Sequence, residues 1–303
     1  MEGTLKENGL NANEGAAAQE SPKFGFADAD LAKLPTVYVP GLFAGQRVLV
    51  SGAGSGIGKA IAFLYARLGA TLVICGRKPE ALEASADWLR RLGSPEVLVL
   101  PLNIRDPEAV SHAMDAVWER FGGLDVQVNN AGGQFPQAAL DYSVKGWNAV
   151  IDTNLNGTWH MIQNAAKRWV RDGVPGSVVN IVVVTERGQP GITHTAAARG
   201  GVVALSRSLA LEWAPHRIRV NCVAPGTIES NGFNNYRAEN AEQFCNSNPM
   251  KRNGDVQDIA EAVVYLTASS GKFLTGEVLR VDGGGTLWGE AWTNGRPDYF
   301  KVS

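Results

Sequence analysis

A chain of 303 residues, 45% apolar and 19% charged, has the length and apolar content for one large α/β core and gives no reason to expect a second folded domain. A formal net charge of −2, a pI near 6.1 and the lack of any basic run exclude the electrostatic footprint that nucleic acid or an anionic membrane would require. Cys75, Cys222 and Cys245 and the histidines His112, His160, His194 and His216 are scattered, so a reducing compartment is expected and no metal site is. No apolar run is long enough for a bilayer, no signal-peptide pattern is present, and Phe300-Lys301-Val302-Ser303 is not a peroxisomal address, so the expectation is a cytoplasmic protein.

In chain order, residues 1–40 read as an extension. Met1 to Glu20 lacks periodicity and is expected to be a mobile tail. Ser21 to Gly45 adds Phe24, Phe26, Tyr38, Leu42 and Phe43 between prolines, the pattern of an arm that packs on its own domain or on a neighbouring subunit. The domain proper is expected over 41–285. It opens with an apolar run, Arg47 to Val50, that stops at Ser51-Gly52-Ala53-Gly54-Ser55-Gly56-Ile57-Gly58 and restarts as a helix to Leu68, closed by Gly69. A strand, a tight glycine loop and a helix N-terminus hold a pyrophosphate: Gly52 allows the turn, Gly56 offers no Cβ to the phosphates and Gly58 lets the helix lie close. A second strand, Thr71 to Cys75, ends in Gly76, Arg77 and Lys78. In dinucleotide folds this tip meets the adenosine ribose, and a guanidinium in place of an acid favours the 2′-phosphate of NADP(H).

The alternation continues through a helix at 79–92, a strand at 97–102 ending in Asn103-Ile104, a helix at 107–121 capped by Asp106, and a strand at 124–128 running into Asn129-Asn130-Ala131-Gly132-Gly133. A helix at 147–164 carries Asn154, and Ser177 to Val184 reads as a central strand buried on both faces. After the helix that ends at Trp213 come a strand at 218–223, the element Pro225-Gly226-Thr227-Ile228, a polar segment at 229–250 expected to be a substrate lid, a helix at 256–266 and a strand at 276–281. The repeating order predicts a doubly wound parallel sheet, a Rossmann-like α/β fold with its ligand beyond the strand ends. Trp288, Trp292, Tyr299 and Phe300 make the 286–303 tail aromatic enough to dock at a subunit interface or to roof the pocket.

The Ser51-Gly52-x-x-x-Gly56-Ile57-Gly58 loop, the Asn129-Asn130-Ala131-Gly132 element and Pro225-Gly226-Thr227-Ile228 together resemble the short-chain dehydrogenase/reductase family. The resemblance covers about Pro40 to Gly285 and implies roles. Ser51, Gly52, Ser55, Gly56, Ile57 and Gly58 would hold the dinucleotide, Asn103 and Ile104 would meet adenine, and Asn130, Ala131 and Gly132 would steady the sheet centre beside the cofactor. Pro225, Gly226, Thr227 and Ile228 would hold the nicotinamide carboxamide, and Asn154 would serve as a structural and catalytic asparagine. The helix at 205–213 would pair copies into a homodimer or homotetramer.

The family's Ser, Tyr and Lys fall here on Val183, Thr195 and Arg199. An aliphatic hydroxyl is far too weak an acid to replace a phenol, whereas Arg199 keeps a positive field and can bind ribose hydroxyls without moving protons. The blocks Gly133-Gln134-Phe135, Lys145-Gly146-Trp147 and His194 to Arg199 look like the peroxisomal trans-2-enoyl-CoA reductases and their dienoyl-CoA reductase relatives. That likeness implies NADPH-dependent reduction of an activated C=C bond in an acyl thioester. Thr185, Thr195 and Gln134 are the candidate oxygen-binding donors beside Arg199. His194 reads as a structural histidine, Tyr236 as a side chain that closes over substrate or lies on a surface loop, and Asp282 as a turn acid or a distant proton source. The alternatives are an NADP-dependent dehydrogenase of a terpenoid or lipid alcohol, and a cofactor-binding protein that has lost catalysis.

Overall fold

The structure, a computed structural model, describes residues 22–289, 293 and 295–300. The tail expected over Met1 to Glu20, and Trp292, lie outside the described residues.

Six apolar runs form the strands β1 (Arg47–Ser51), β2 (Thr71–Gly76), β3 (Val97–Pro101), β4 (Val126–Asn129), β5 (Gly176–Ile181) and β6 (Ile218–Pro225), and Val278–Val281 adds β7. All pair in parallel in the order β3-β2-β1-β4-β5-β6-β7, a doubly wound Rossmann-like sheet. Alternate side chains leave opposite faces. Val48, Val50, Leu72 and Ile74 enter one core cluster, and Leu49, Val73 and Cys75 enter the other. The first cluster is covered by α1 (Gly56–Arg67), α2 (Pro79–Arg91) and a later helix, Val256–Thr267. The second lies under α3 (Pro107–Phe121), the long helix α4 (144–172) and α5 (Thr193–Glu212), and Val256–Thr267 is then α6.

Helix ends follow local chemistry. Asp106 caps α3 by accepting from the N–H groups of Glu108 and Ala109, and Gly122 closes it in the left-handed region at φ +71°. The central helix is longer than its sequence suggests. It starts at Val144, where Ser143 Oγ accepts from Gly146 N, and ends at Gly173 with φ +68°. Between Val144–Ile151 and Gly157–Asp172 the turn Asp152–Asn156 is π-helical, a one-residue bulge that swings Asn154 inward.

The apolar run at 177–184 also divides: its ladder stops at Ile181, Val182 N makes the last bond to β6 at the Val223 carbonyl, and Val183 and Val184 lie beyond the strand. A buried polar chain crosses the sheet, with Gln127 Nε2 donating to Asn129 Oδ1, Asn129 Nδ2 to Asn180 Oδ1, and Asn180 Nδ2 to Ser206 Oγ. Asn129 and Asn180 are register partners, so a slip of one residue would strand both amides in an apolar interior.

The arm packs on its own domain. Lys59 pairs with Asp28 at 2.9 Å, Tyr38 Oη donates to the Glu261 carbonyl, and Phe43 is buried against Tyr65. The segment that follows β6 forms two 3-10 turns, Asn231–Asn235 and Phe244–Ser247, around a short helix, Ala238–Glu242. Tyr299 Oη donates to the Pro249 carbonyl, so the C-terminal turn rests beside that segment. No helix among the described residues is long and apolar enough to cross a membrane.

Candidate active site

A cleft of about 1390 Å³ opens beyond the C-terminal ends of the strands, where the strand order reverses between β1 and β4. Its volume exceeds the ~300–1,000 Å³ of an ordinary small-molecule pocket, so there is room for two ligands side by side.

The glycine loop forms one wall. A Cβ on Gly58 would lie 2.4 Å from the Gly52 carbonyl oxygen and on Gly52 2.8 Å from Asn130 Nδ2, so these two glycines serve close packing. Gly56 differs: φ is +54°, and the nearest heavy atom to its would-be Cβ is 3.8 Å away on Ser230. A side chain there would fill the cradle at the N-terminus of α1, which carries no side-chain cap. Below the loop, Ser51 Oγ accepts from Asn130 N and Ala131 N, while Asn130 Nδ2 donates back to the Ser51 carbonyl. Ser51 is buried there, so it ties β1 to β4 instead of facing the cleft.

At the other end Arg77 and Lys78 stand exposed on the cleft wall, and their side chains make no ion pair or hydrogen bond among the described residues. Asn103 and Ile104 border the same corner, and Ser55, Ile57, Ala131, Gly132, Pro225, Gly226, Thr227 and Ile228 line the cleft as well. Gly226 could not be anything larger, because a Cβ would meet the Asp282 Cα at 2.7 Å. These cradles and amides fit the pyrophosphate of a nicotinamide dinucleotide.

The expected catalytic residues separate into two groups. Arg199 reaches the floor of the cleft: its guanidinium bonds the Ile181 carbonyl and Thr195 Oγ1 and lies against Gly132, where an added Cβ would be 2.5 Å from it. It has no carboxylate partner among the described residues, and burial pulls its pKa down to about 10, so it remains charged at neutral pH. Thr195 is fully buried and receives Asn154 Nδ2 at 2.9 Å, and Thr185 is exposed outside the cleft lining. Asn154 itself, 2% exposed, grips Gly133 at both its N–H and its carbonyl. Its amide thus aligns the backbone beside the floor.

His194 is enclosed by Phe135 and Tyr142, and its Nδ1 accepts from Thr195 N. Burial lowers its pKa against the opposing pull of the Ile192 backbone, which suits the structural reading. At Asp282 burial works to raise the pKa, but the Thr286 hydroxyl and N–H and the Gly284 N–H hold the carboxyl below the ordinary range. It is a turn carboxylate on the cleft rim. Tyr236 lines the cleft, its Oη accepting from Gln134 Nε2 at 3.3 Å, and packs on Phe244 beside Phe233.

Sequence reasoning missed Arg187, Thr153 and Ser230 on the wall. Arg187 donates to the Gly285 carbonyl, tying the loop after β5 to the C-terminal turn. An arginine in the Gly-Gln-Pro-Gly loop after a central strand was the available signal.

Residues 52–286 match the family model described as enoyl-(acyl carrier protein) reductase. A probable 2,4-dienoyl-CoA reductase of Bacillus subtilis is 34% identical over 244 residues, covering 79% of this chain and 96% of that protein. A glucose 1-dehydrogenase of Gluconobacter oxydans is 35% identical over 256 residues, covering 83% and 96%. Among solved structures, the citronellol catabolism dehydrogenase of Pseudomonas aeruginosa superposes with a TM-score of 0.74 at 35% identity, covering 83% of this chain and 99% of that one.

Proposed function

The chain belongs to the short-chain dehydrogenase/reductase family of oxidoreductases, and from that premise we propose that it uses NADP(H) to reduce an activated C=C bond, most directly that of a trans-2-enoyl-CoA or a related acyl thioester. The observation that carries this reading is the Arg199 guanidinium, charged, without a carboxylate partner among the described residues and held against Gly132 at the cleft floor. Reduction of a conjugated thioester builds negative charge on the carbonyl oxygen, and a preorganised cation in a water-poor site stabilises that charge more than it stabilises the ground state.

When bound, a reduced nicotinamide supplies hydride. Gly56 and the amides at the start of α1 would hold its pyrophosphate, and Arg77 with Lys78 its 2′-phosphate. Asn154 keeps Gly132 and Gly133 in line beside Arg199. The relation to dienoyl-CoA reductases supports the substrate class. Leu211, 81% exposed on α5, supports assembly into a homodimer or homotetramer through that helix, which light scattering on the purified protein checks.

The test follows NADPH absorbance with a panel of trans-2-enoyl-CoA thioesters beside matched alcohols and ketones, for the native protein and for Arg199→Ala. Thioester-dependent oxidation of NADPH that falls about 100-fold in the variant is the expected result. The apolar wall of Phe233 and Phe244, together with the likeness to a citronellol catabolism dehydrogenase, favours a second reading, NADP-dependent oxidation of a terpenoid or lipid alcohol. Alcohol turnover without thioester turnover would establish it in place of the first. Cofactor binding with no turnover of any substrate would leave only a binding protein.

A further inference from the structure

With Thr195 buried and Thr185 outside the cleft, a reduction in this site lacks an evident proton. Among the described residues, the titratable side chains on the cleft wall are Arg77, Lys78, Arg187, Arg199, Asp282 and Tyr236. The guanidiniums hold their protons too tightly to give them up near neutral pH. Lys78 follows the tip of β2, three strands along the sheet from β5, whose Ile181 carbonyl Arg199 bonds. Asp282 accepts bonds from Thr286 and Gly284 and carries no proton to donate. The remaining hydroxyls on the wall are aliphatic and too weakly acidic.

Tyr236 is the one phenol there. Its Oη accepts from Gln134 Nε2 at 3.3 Å, which leaves its own proton free to point at a substrate. Gln134 directly follows Gly132, which lies against Arg199, and Gly133, which Asn154 grips, and Gln134, Tyr236 and Arg199 all line the one cleft. The ring is braced edge-on by Phe244 at 5.2 Å, and its backbone N–H donates to the Phe233 carbonyl.

We propose that Tyr236 is the catalytic proton donor, supplied by the 229–250 segment instead of by α5. This rests on the reductase reading of the same cleft. For a 2-enoyl thioester, a nicotinamide bound in the cleft would supply hydride to Cβ, the C=C π pair shifting into the Cα–carbonyl bond and the C=O π pair going onto the thioester oxygen. The enolate lies in the field of Arg199. Its pair then takes the Tyr236 Oη proton at Cα, the O–H bond breaks, and the phenolate is held by the Gln134 N–H until water returns the proton. The C=C bond is reduced by two electrons and the nicotinamide is oxidised by two.

The experiment compares the native protein with Tyr236→Phe and Gln134→Leu, using NADPH with crotonyl-CoA and trans-2-decenoyl-CoA in D2O, and reads the product by NMR. For Tyr236→Phe, kcat falls about 100-fold with KM and NADPH affinity, by fluorescence titration, changed less than about twofold. Deuterium at Cα passes from one configuration in the native product to both, because water then protonates the enolate from either side. Gln134→Leu costs about tenfold in kcat and keeps the single configuration. A kcat for Tyr236→Phe within twofold of native, or a single configuration retained, overturns the proposal. Should the native protein leave both thioesters untouched yet reduce a ketone, the thioester reading falls on its own, and the same kcat comparison on the ketone decides the role of Tyr236. NADPH binding with no reduction of any substrate overturns both.

Discussion

Gly56 and Gly58 sit two positions apart and resist substitution for different reasons. In Gly58→Ala the new methyl has no room beside the Gly52 carbonyl, and α1 must lift from β1. The expected result is a loss of about 1–3 kcal/mol in denaturant unfolding. Gly56→Ala has space but must hold φ at +54°, a strain of about 1–2 kcal/mol, and its methyl enters the cradle, so NADPH affinity by fluorescence titration falls at least about tenfold. Arg199 poses the opposite trade. Its desolvated charge burdens the fold, and Arg199→Met should melt at the same temperature or higher by calorimetry while losing turnover. Asp282 titrates in the stabilising direction: its folded pKa lies below the unfolded value of about 3.9, so its bonds to the Gly285–Leu287 turn are whole above that pH and fade as acid protonates it. Asp282→Asn should therefore flatten the acid limb of a melting-temperature-against-pH curve.

Asn154 shows how the shape of an element lets a residue fix a site that the residue itself does not line. Its amide completes three hydrogen bonds because the π turn faces it inward, and Asn154→Leu would leave Gly133 N and O unpaired. The expected cost is about 2–4 kcal/mol of stability with a fall in kcat, read by denaturant unfolding and steady-state rates. That turn was not legible in Asp152-Thr153-Asn154-Leu155-Asn156-Gly157, whose composition reads as a poor helix, and the start at Val144 was hidden by the polar lead-in through Lys145 and Gly146. The strands, by contrast, were legible because glycines and prolines punctuate apolar runs, and α3 was read at 107–121 with Asp106 as its cap, as the structure has it. Site residues followed the same division. Backbone-shaped positions such as Gly56 and Gly226 can be read from a motif, but whether Thr185 or Thr195 meets the cleft depends on where β5 leaves the sheet, which no local pattern encodes.

Over the whole molecule, the arm and the 229–250 segment are joined. Phe24 stacks edge-on against Phe233 at 5.5 Å, and Gly25 N donates to Glu229 Oε1, so the first residues of the arm clasp the first turn beyond β6. Removing residues 1–27 should raise amide hydrogen exchange at 230–247 several-fold while leaving β1 to β6 protected, as mass spectrometry would read it. The reversal of strand order between β1 and β4 carries a further consequence. One wall of the cleft belongs to the β1-β2-β3 half and the other to the β4-to-β7 half, held side by side by three parallel register pairs and the Ser51–Asn130 clasp. Anything that fills the cleft therefore fastens one half of the sheet to the other. A ligand present at a hundred times its dissociation constant adds about 2.7 kcal/mol to the folded state, roughly a 5 °C rise in melting temperature. Thermal shift thus ranks cofactors and substrate classes on a variant that turns nothing over.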